Sequence, residues 1–164
     1  MKKILFLFLL TGPLILLAQT TGTVYPTGKV SRSIFFNDAN KSIYENAYNS
    51  YLPNADAIKY LNSKKGKFGI KMVMGFWCDD SQKYAPQLLK TLDNAKWDTV
   101  GNNQLIVYGV DENKVANFEG FKEMNIINVP TIIVYQNNKE IGRIVETPKI
   151  SVEQDLVNII KSTE

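Results

Sequence analysis

Cys78 is the only cysteine in a chain of 164 residues, and the chain contains no histidine. A deprotonated cysteine is a nucleophile, so this thiol is the first candidate for chemistry. Without histidine the chain cannot form a Cys-His pair, a Ser-His-Asp triad or an ordinary zinc site. The residue types therefore predict neither a metal nor a bound cofactor, and they restrict the chemistry to what one thiol and neighbouring carboxylates can do.

The sequence around Cys78 predicts a strand followed by a helix. Ile70 to Trp77 is a nearly continuous apolar run of strand length, which indicates a strand buried on both faces. The helix begins close to Cys78, because Tyr84 and Leu88 start an apolar helical face. At a helix N-terminus, unpaired N–H groups and the helix dipole favour a thiolate. This position, beside Trp77, favours a functional thiol over a buried and inert cysteine.

Apolar spacing and turn residues predict the remaining elements. Residues at three-to-four spacing predict a helix whose aromatic stripe we interpret as core packing: Ile43, Tyr44, Ala47, Tyr48 and Tyr51. The other predicted elements are a helix that starts at Asn54 or Asp56 after Pro53, a strand from Leu105 to Val110, a short helix from Asn117 to Met124, a hairpin from Ile132 to Val145 and a helix from Ser151 to Ile160. This order predicts an α/β fold with a mixed sheet.

The first eighteen residues predict a secretory signal peptide. Lys2 and Lys3 precede an apolar run that Gly12-Pro13 interrupts and that ends at Ala18. A membrane span would need about 20 unbroken apolar residues. We therefore expect an exported protein, periplasmic or secreted, without a stable membrane span once residues 1–18 are removed. Cleavage also removes two of 19 basic residues against 16 acidic ones, and the nearly neutral surface that remains argues against a nucleic-acid partner.

The rest of the chain predicts one domain behind a flexible segment. Residues 19–33 are rich in Thr, Gly and Ser and lack helical periodicity, so we interpret them as a flexible N-terminal segment. Residues 34–164 have the usual length of one domain. We divide this domain into a helical extension (34–66) and a core (67–164).

Three motifs, in this order, resemble the thioredoxin pattern. They are Phe76-Trp77-Cys78 at the predicted strand-to-helix junction, Pro86 eight residues later, and Val129-Pro130-Thr131 before the hairpin. More narrowly, Trp77-Cys78-Asp79-Asp80-Ser81 and residues 141–148 resemble exported bacterial thioredoxin-family proteins with a single-cysteine Trp-Cys-x-Asp-Ser motif. The resemblance, which covers residue 67 to the C-terminus, implies a thioredoxin-like three-layer fold with a central mixed β-sheet flanked by helices.

The resemblance also implies roles for particular residues. Pro86 would kink the helix after Cys78 rather than end it, since apolar residues continue beyond it. The Val129–Pro130 peptide bond would be cis and would face Cys78. The backbone at this turn could then pair with an extended peptide, so Val129, Pro130 and Thr131 are the expected partner-binding residues.

The sequence departs from the thioredoxin pattern at two positions. Ser81 occupies the place of the second cysteine of dithiol members, and a hydroxyl cannot resolve a mixed disulfide. Ser81 can still hydrogen-bond the Cys78 thiolate, or it can serve as an ordinary residue of the first helical turn. Met72 occupies the place where many thioredoxins keep a buried acidic group, so proton handling must come from elsewhere or be absent.

Asp79 and Asp80 are expected to have two opposing effects. The helix dipole favours each of them at a helix start by about 0.3–1 kcal/mol, which requires no function. Their negative charges also oppose a thiolate at Cys78, so they weaken the effect of the helix on the thiol.

Two functions are compatible with these residues. In the favoured one, Cys78 attacks the disulfide of a protein or small-molecule partner, forms a mixed disulfide and is released by an external thiol. Trp77, Asp79, Asp80 and Ser81 would complete this monothiol oxidoreductase site. The alternative is a non-catalytic peptide-binding or chaperone-like module, which the missing second cysteine and Met72 favour.

A peroxide-reacting cysteine is disfavoured, because no Thr stands two or three residues before Cys78. One exposed thiol can also join two copies in a disulfide-linked dimer.

Overall fold

The computed structural model describes residues 25–101 and 104–164. The signal peptide predicted at 1–18 and the first part of the predicted flexible segment therefore lie outside the described residues. Within the two described ranges, no helix combines the length and the apolar character that crossing a membrane requires.

The described residues form five β-strands, four α-helices and two short 3₁₀ helices. The strands are β1 (Gly28–Val30), β2 (Gly69–Met74), β3 (Leu105–Gly109), β4 (Thr131–Gln136) and β5 (Lys139–Val145). The helices are α1 (Lys41–Ser50), α2 (Ala55–Ser63), α3 (Asp79–Asn94) and α4 (Val152–Lys161), with 3₁₀ helices at Arg32–Phe36 and Lys122–Met124. The predicted α/β class is confirmed, and so are the predicted hairpin and the helices around Tyr44 and after Pro53, Cys78 and Ser151.

The strands form one mixed sheet in the order β1-β3-β2-β4-β5. β2 and β3 are parallel, whereas β1 pairs antiparallel with β3, and β4 pairs antiparallel with both β2 and β5. Met72 lies at the centre, opposite Val107 on one side and Ile132 on the other. β2 is thus an interior strand whose residues are covered on both faces, which explains the continuous apolar run in its sequence.

The two faces of the sheet are covered differently. On one face, side chains of β2, β3 and β4 pack with apolar residues of all four α-helices in the larger core. On the other face, Val73 and Ile133 belong to a smaller cluster that residues 111–128 cover. The α-helical layer is therefore on one side, and an irregular segment closes the other.

The prediction of a helix from Asn117 to Met124 is wrong. The structure has only the 3₁₀ helix Lys122–Met124 there. Gly120 adopts a positive φ of 83°, which interrupts a helix. Phe118 instead stacks on Tyr108 of β3 with ring centroids 4.3 Å apart, so packing on the sheet determines the path of this segment.

The helix starts and the proline in α3 follow the local sequence. The side chain of Asn54 accepts a hydrogen bond from the N–H of Ala57, and that of Ser151 accepts one from Gln154, so each caps the helix that follows. Pro86 lies inside α3, which continues to Asn94. As expected, the helix continues beyond the proline.

The N-terminal segment is more ordered than its composition predicts. Gly28–Val30 pairs with β3, and Phe35 is fully buried. A Cβ atom at Gly109 would lie 2.1 Å from the carbonyl oxygen of Pro26, so this glycine allows the segment to approach β3. The prediction of a flexible segment up to residue 33 is therefore wrong for residues 28–33, because contacts with distant residues hold them.

Candidate thiol site

Cys78 is the N-cap residue of α3, at the junction that follows β2. Its backbone is extended (φ −92°, ψ 123°), and its carbonyl accepts the first helical hydrogen bond from the N–H of Gln82 at 3.0 Å. Its own N–H donates to the carbonyl of Gly75 at 3.1 Å. Because Cys78 is the N-cap residue, its side chain lies at the positive end of the helix dipole. The thiol is free and half-buried, so solvent can reach it.

The Val129–Pro130 turn faces this thiol. The peptide bond between the two residues is cis, and Cys78 Sγ lies 3.4 Å from the carbonyl oxygen of Val129. Thr131 Oγ1 donates to the carbonyl of Asn128 at 2.6 Å, which closes the turn before β4. The structure therefore brings Cys78, Val129 and Pro130 together, while Thr131 is buried behind them.

Trp77 lies over the ends of two strands. Its Nε1–H donates to the carbonyl of Val110 at 3.2 Å. A Cβ atom at Gly75 would lie 2.6 Å from the indole ring, so the absence of a side chain there makes room for Trp77. The indole is half-buried, and with Cys78 it packs against the smaller core cluster.

Ser81 connects the first turn of α3 to the end of β2. The residue is fully buried, and its hydroxyl accepts a hydrogen bond from the N–H of Gly75 at 3.3 Å. This contact agrees with the interpretation of Ser81 as a residue of the first helical turn. The hydroxyl is directed to the backbone and supplies no second thiol.

Comparisons with known proteins find similar solved structures but no matching protein family or curated protein sequence. Among solved structures, a protein of unknown function from Pseudomonas aeruginosa is similar with a TM-score of 0.59 and 12% identity, over 83% of this chain and 94% of that one. An HIV epitope-scaffold is similar with a TM-score of 0.58 and 12% identity, over 82% and 93% of the two chains. A Fasciola hepatica thioredoxin matches with a TM-score of 0.42 and 20% identity, over 67% and 93%.

The order of the elements decides the fold. A parallel β2-α3-β3 unit carries a cysteine at the start of its helix, and an antiparallel β4-β5 hairpin with a cis-proline at its entrance faces that cysteine. The fold is thioredoxin-like. The helices α1 and α2 and the antiparallel strand β1 precede this unit as an N-terminal extension.

The aspartates beside the thiol of this thioredoxin-like domain differ in exposure. Asp79 is exposed and Asp80 is half-buried, and both lie in the first turn of α3. The helix dipole stabilises them there. In the described ranges, no group of three or more Cys, Asp and Glu side chains is arranged to hold a metal ion.

Tyr44 is a polar residue near the site that the sequence analysis assigned to core packing. It is 1% exposed, and its hydroxyl has no hydrogen-bond partner among the described residues. Burial raises the pKa of Tyr44, and the negative charge of an ionised Cys78 raises it further. Met72, at the position of the acidic group of many thioredoxins, is buried in the apolar core. Helical spacing gave no signal that distinguishes Tyr44 from its neighbours in the aromatic stripe.

Proposed function

We propose that this protein is an exported monothiol thiol–disulfide exchange protein that acts through Cys78. The observation that carries the proposal is the position of the free thiol: it caps α3 and lies 3.4 Å from the Val129 carbonyl of a cis-proline turn. A partly exposed cysteine at a helix N-terminus is the environment in which thiols react. Exported proteins meet disulfides, which are rare in the cytosol.

The exchange consists of substitutions at sulfur. The Cys78 thiolate attacks one sulfur of the partner disulfide, a bond forms between these two sulfurs, and the other partner sulfur leaves as a thiolate and takes a proton. A first external thiolate then attacks the Cys78 sulfur and releases the partner as a dithiol. A second external thiolate frees Cys78. The partner disulfide is reduced, and two external thiols are oxidised to a disulfide.

The surrounding residues have distinct roles in this proposal. The first turn of α3 stabilises the thiolate, while Asp79 and Asp80 moderate that effect. Trp77 covers one side of the thiol, and Ser81 holds the turn without resolving the adduct. The turn formed by Val129, Pro130 and Thr131 holds the partner beside the sulfur. The partner is a protein or small molecule that contains a disulfide or a thiol.

Reaction with oxidised glutathione tests the proposal. We expect the protein to form an adduct at Cys78 faster than free cysteine does at the same pH, because the helix N-terminus stabilises the thiolate. Mass spectrometry of the intact protein measures the adduct over time. Added dithiothreitol should remove it completely, and Cys78→Ser should form none. An adduct that forms no faster than with free cysteine would contradict the proposal.

A peptide-binding module is the second candidate, and a surface groove with both apolar and charged residues favours it. Residues 112–123 and 125–127 line a groove of about 1080 Å³, in which Ile127 is 77% exposed. Ala116 and Met124 of this segment belong to the same small core cluster that Trp77 and Cys78 pack against. The groove and the thiol site therefore share the core cluster beneath them, although neither Cys78 nor Val129 lines the groove.

Peptide binding by a variant that lacks the thiol separates the two candidate functions. If binding is the function, Cys78→Ala should bind a cysteine-free apolar peptide as the unchanged protein does, whereas Ile127→Asp should bind it weakly. Fluorescence anisotropy of a labelled peptide measures both. Absence of binding in the unchanged protein would remove this candidate and leave the exchange activity.

A further inference from the structure

Carboxylates from three parts of the chain border the thiol site. The first part is the start of α3, where Asp79 and Asp80 follow Cys78 directly and Asp79 is exposed. Consecutive Cα atoms are about 3.8 Å apart. Both carboxylates are therefore within roughly one Debye length of the sulfur, which is about 10 Å at an ionic strength of 0.1 M.

The second part is the end of the β4-β5 hairpin, which contributes Glu146. The N–H of Glu146 donates to the carbonyl of Pro130 at 2.8 Å. Pro130 belongs to the turn whose Val129 carbonyl oxygen lies 3.4 Å from Cys78 Sγ. The side chain of Glu146 is exposed, so its charge is held beside the turn and is open to a partner.

The third part is Asp111, next to the residue that holds Trp77. The Nε1–H of Trp77 donates to the carbonyl of Val110 at 3.2 Å, and Asp111 follows Val110 in the chain. The Asp111 carboxylate accepts hydrogen bonds from the N–H groups of Asn113 and Val115 at 3.0 Å and 2.8 Å. These donors are uncharged, so they leave the negative charge of the carboxylate in place.

Few cations oppose these charges. Within residues 25–101 and 104–164, none of the four carboxylates forms an ion pair. Lys114 is close to the turn, because its Nζ donates at 3.2 Å to Oδ1 of Asn128, the residue before Val129. Lys83 is exposed in the second turn of α3, with its Nζ 4.9 Å from the centroid of the Tyr84 ring. Four carboxylates against two lysines leave the surroundings of the thiol negative.

We propose that these carboxylates make Cys78 selective for positively charged disulfides, so that its preferred partner carries lysine or arginine side chains beside the disulfide. This inference rests on the proposed exchange and names the substrate class of that site. The carboxylates form no bond to the partner. They raise the concentration of a cationic disulfide at the sulfur and lower that of an anionic one.

Three small disulfides that differ in charge test this selection: cystamine is cationic, dithiodipropionate is anionic and hydroxyethyl disulfide is neutral. With each, the Cys78 thiolate bonds to one sulfur, the sulfur–sulfur bond breaks, and the leaving thiolate takes a proton from solvent. Mass spectrometry of the intact protein measures the rate of adduct formation at pH 7. Each rate is divided by the rate of free mercaptoethanol with the same disulfide, which removes the intrinsic reactivity of that disulfide.

We expect the normalised rate for cystamine to exceed that for dithiodipropionate by about tenfold at low ionic strength, with the neutral disulfide between them. In about 1 M salt the Debye length is about 3 Å, so the ratio of the two rates should fall close to one. A change in the amount of thiolate does not alter this ratio, because both disulfides react with the same thiolate.

Amide variants separate the charge of the carboxylates from their place in the fold. Asp79→Asn, Asp80→Asn and Glu146→Gln combined should lower the ratio of the two rates by at least about threefold. Glutamine is used at position 146 rather than glycine, because the residue has a positive φ of 57° and glycine would also change the backbone strain. Asp56→Asn is the matched control, since it removes an exposed carboxylate from the first turn of α2. Its ratio should equal that of the unchanged protein.

Two results would overturn the selection and leave the exchange standing. One is equal normalised rates for cystamine and dithiodipropionate in the unchanged protein. The other is a ratio that neither salt nor the amide variants change, since the carboxylates would then not be its cause. Absence of an adduct with all three disulfides would contradict the proposed exchange, and the selection with it. Oxidised glutathione is anionic, so we expect it to react at the same sulfur more slowly than cystamine.

Discussion

In the proposed exchange, Ser81 determines how an encounter between Cys78 and a disulfide ends. Its buried hydroxyl accepts a hydrogen bond from Gly75 and cannot attack a sulfur. Positions 78 and 81 are three residues apart at the start of α3, so their side chains lie on the same face of the helix. A thiol at position 81 would therefore be near the Cys78 sulfur.

At the residue scale, we expect Ser81→Cys to make the glutathione adduct short-lived. The new thiolate attacks the Cys78 sulfur, releases glutathione and leaves an internal disulfide between positions 78 and 81. Because this attack is intramolecular, the adduct at steady state should fall by about tenfold or more. Mass spectrometry measures both species. Asp80→Cys is the control, since its side chain lies on a different face, and equal behaviour of the two variants would contradict the geometry.

At the element scale, the junction between β2 and α3 depends on Gly75. A Cβ atom at this position would lie 2.6 Å from the Trp77 ring, whose Nε1–H donates to Val110. We expect Gly75→Ala to displace the indole into solvent and to destabilise the fold by roughly 1–3 kcal/mol. A red shift of tryptophan fluorescence and a lower urea midpoint measure these effects. Gly69→Ala, at the start of β2, is the control, because no atom lies within 4 Å of its added Cβ. An unshifted spectrum of Gly75→Ala would contradict the expected clash.

At the scale of the whole molecule, the half-buried carboxylate of Asp93 and the buried carboxylate of Glu153 attach distant segments to the core. Arg32 and Tyr48 both donate to Asp93 of α3. Burial alone raises the pKa of Asp93, but these hydrogen bonds outweigh burial and hold it below the usual value. Burial also raises the pKa of Glu153, whereas hydrogen bonds from Tyr51 and the N–H of Asn54 lower it overall. Each carboxylate therefore stabilises the fold in its ionised form.

These carboxylates predict acid sensitivity. A group whose pKa is lower in the folded state contributes full stability above its unfolded value and loses it as pH falls through the folded value. We expect the free energy of unfolding to decrease below about pH 4, near the usual carboxyl range. Asp93→Asn should cost roughly 1–3 kcal/mol at neutral pH and flatten this decrease. Urea unfolding at several pH values measures both. Glu45→Gln, at an exposed site on α1, is the control, and an equally steep decrease for Asp93→Asn would contradict the assignment.

Much of the fold follows from short segments of sequence. Apolar spacing predicts α1 and α3, a continuous apolar run predicts β2, and Ser151 marks the start of α4. For α2 the sequence offers Asn54 or Asp56 as the start, and the structure has Asn54 as the cap. These signals are reliable because helix periodicity, capping and strand burial act over a few residues. Apolar spacing also predicts Cys78 at a helix start, and the resemblance to the thioredoxin pattern implies a cis-proline turn that faces it. Both are present in the structure.

The features that the sequence alone did not determine depend on contacts between distant residues. Composition indicates a flexible segment at residues 19–33, but Gly28–Val30 pairs with β3 and a 3₁₀ helix with a buried Phe35 begins at Arg32. Periodicity indicates a helix at Asn117–Met124, which stacking of Phe118 on Tyr108 replaces. In the sequence Tyr44 is one aromatic residue of a helical stripe, and only the packing of α1 shows that its hydroxyl is buried without a hydrogen-bond partner among the described residues. The sequence by itself determined that there is one thiol at a helix start, because that depends on neighbouring residues. The tertiary structure decided which groups surround it, because they come from elements far apart in the chain.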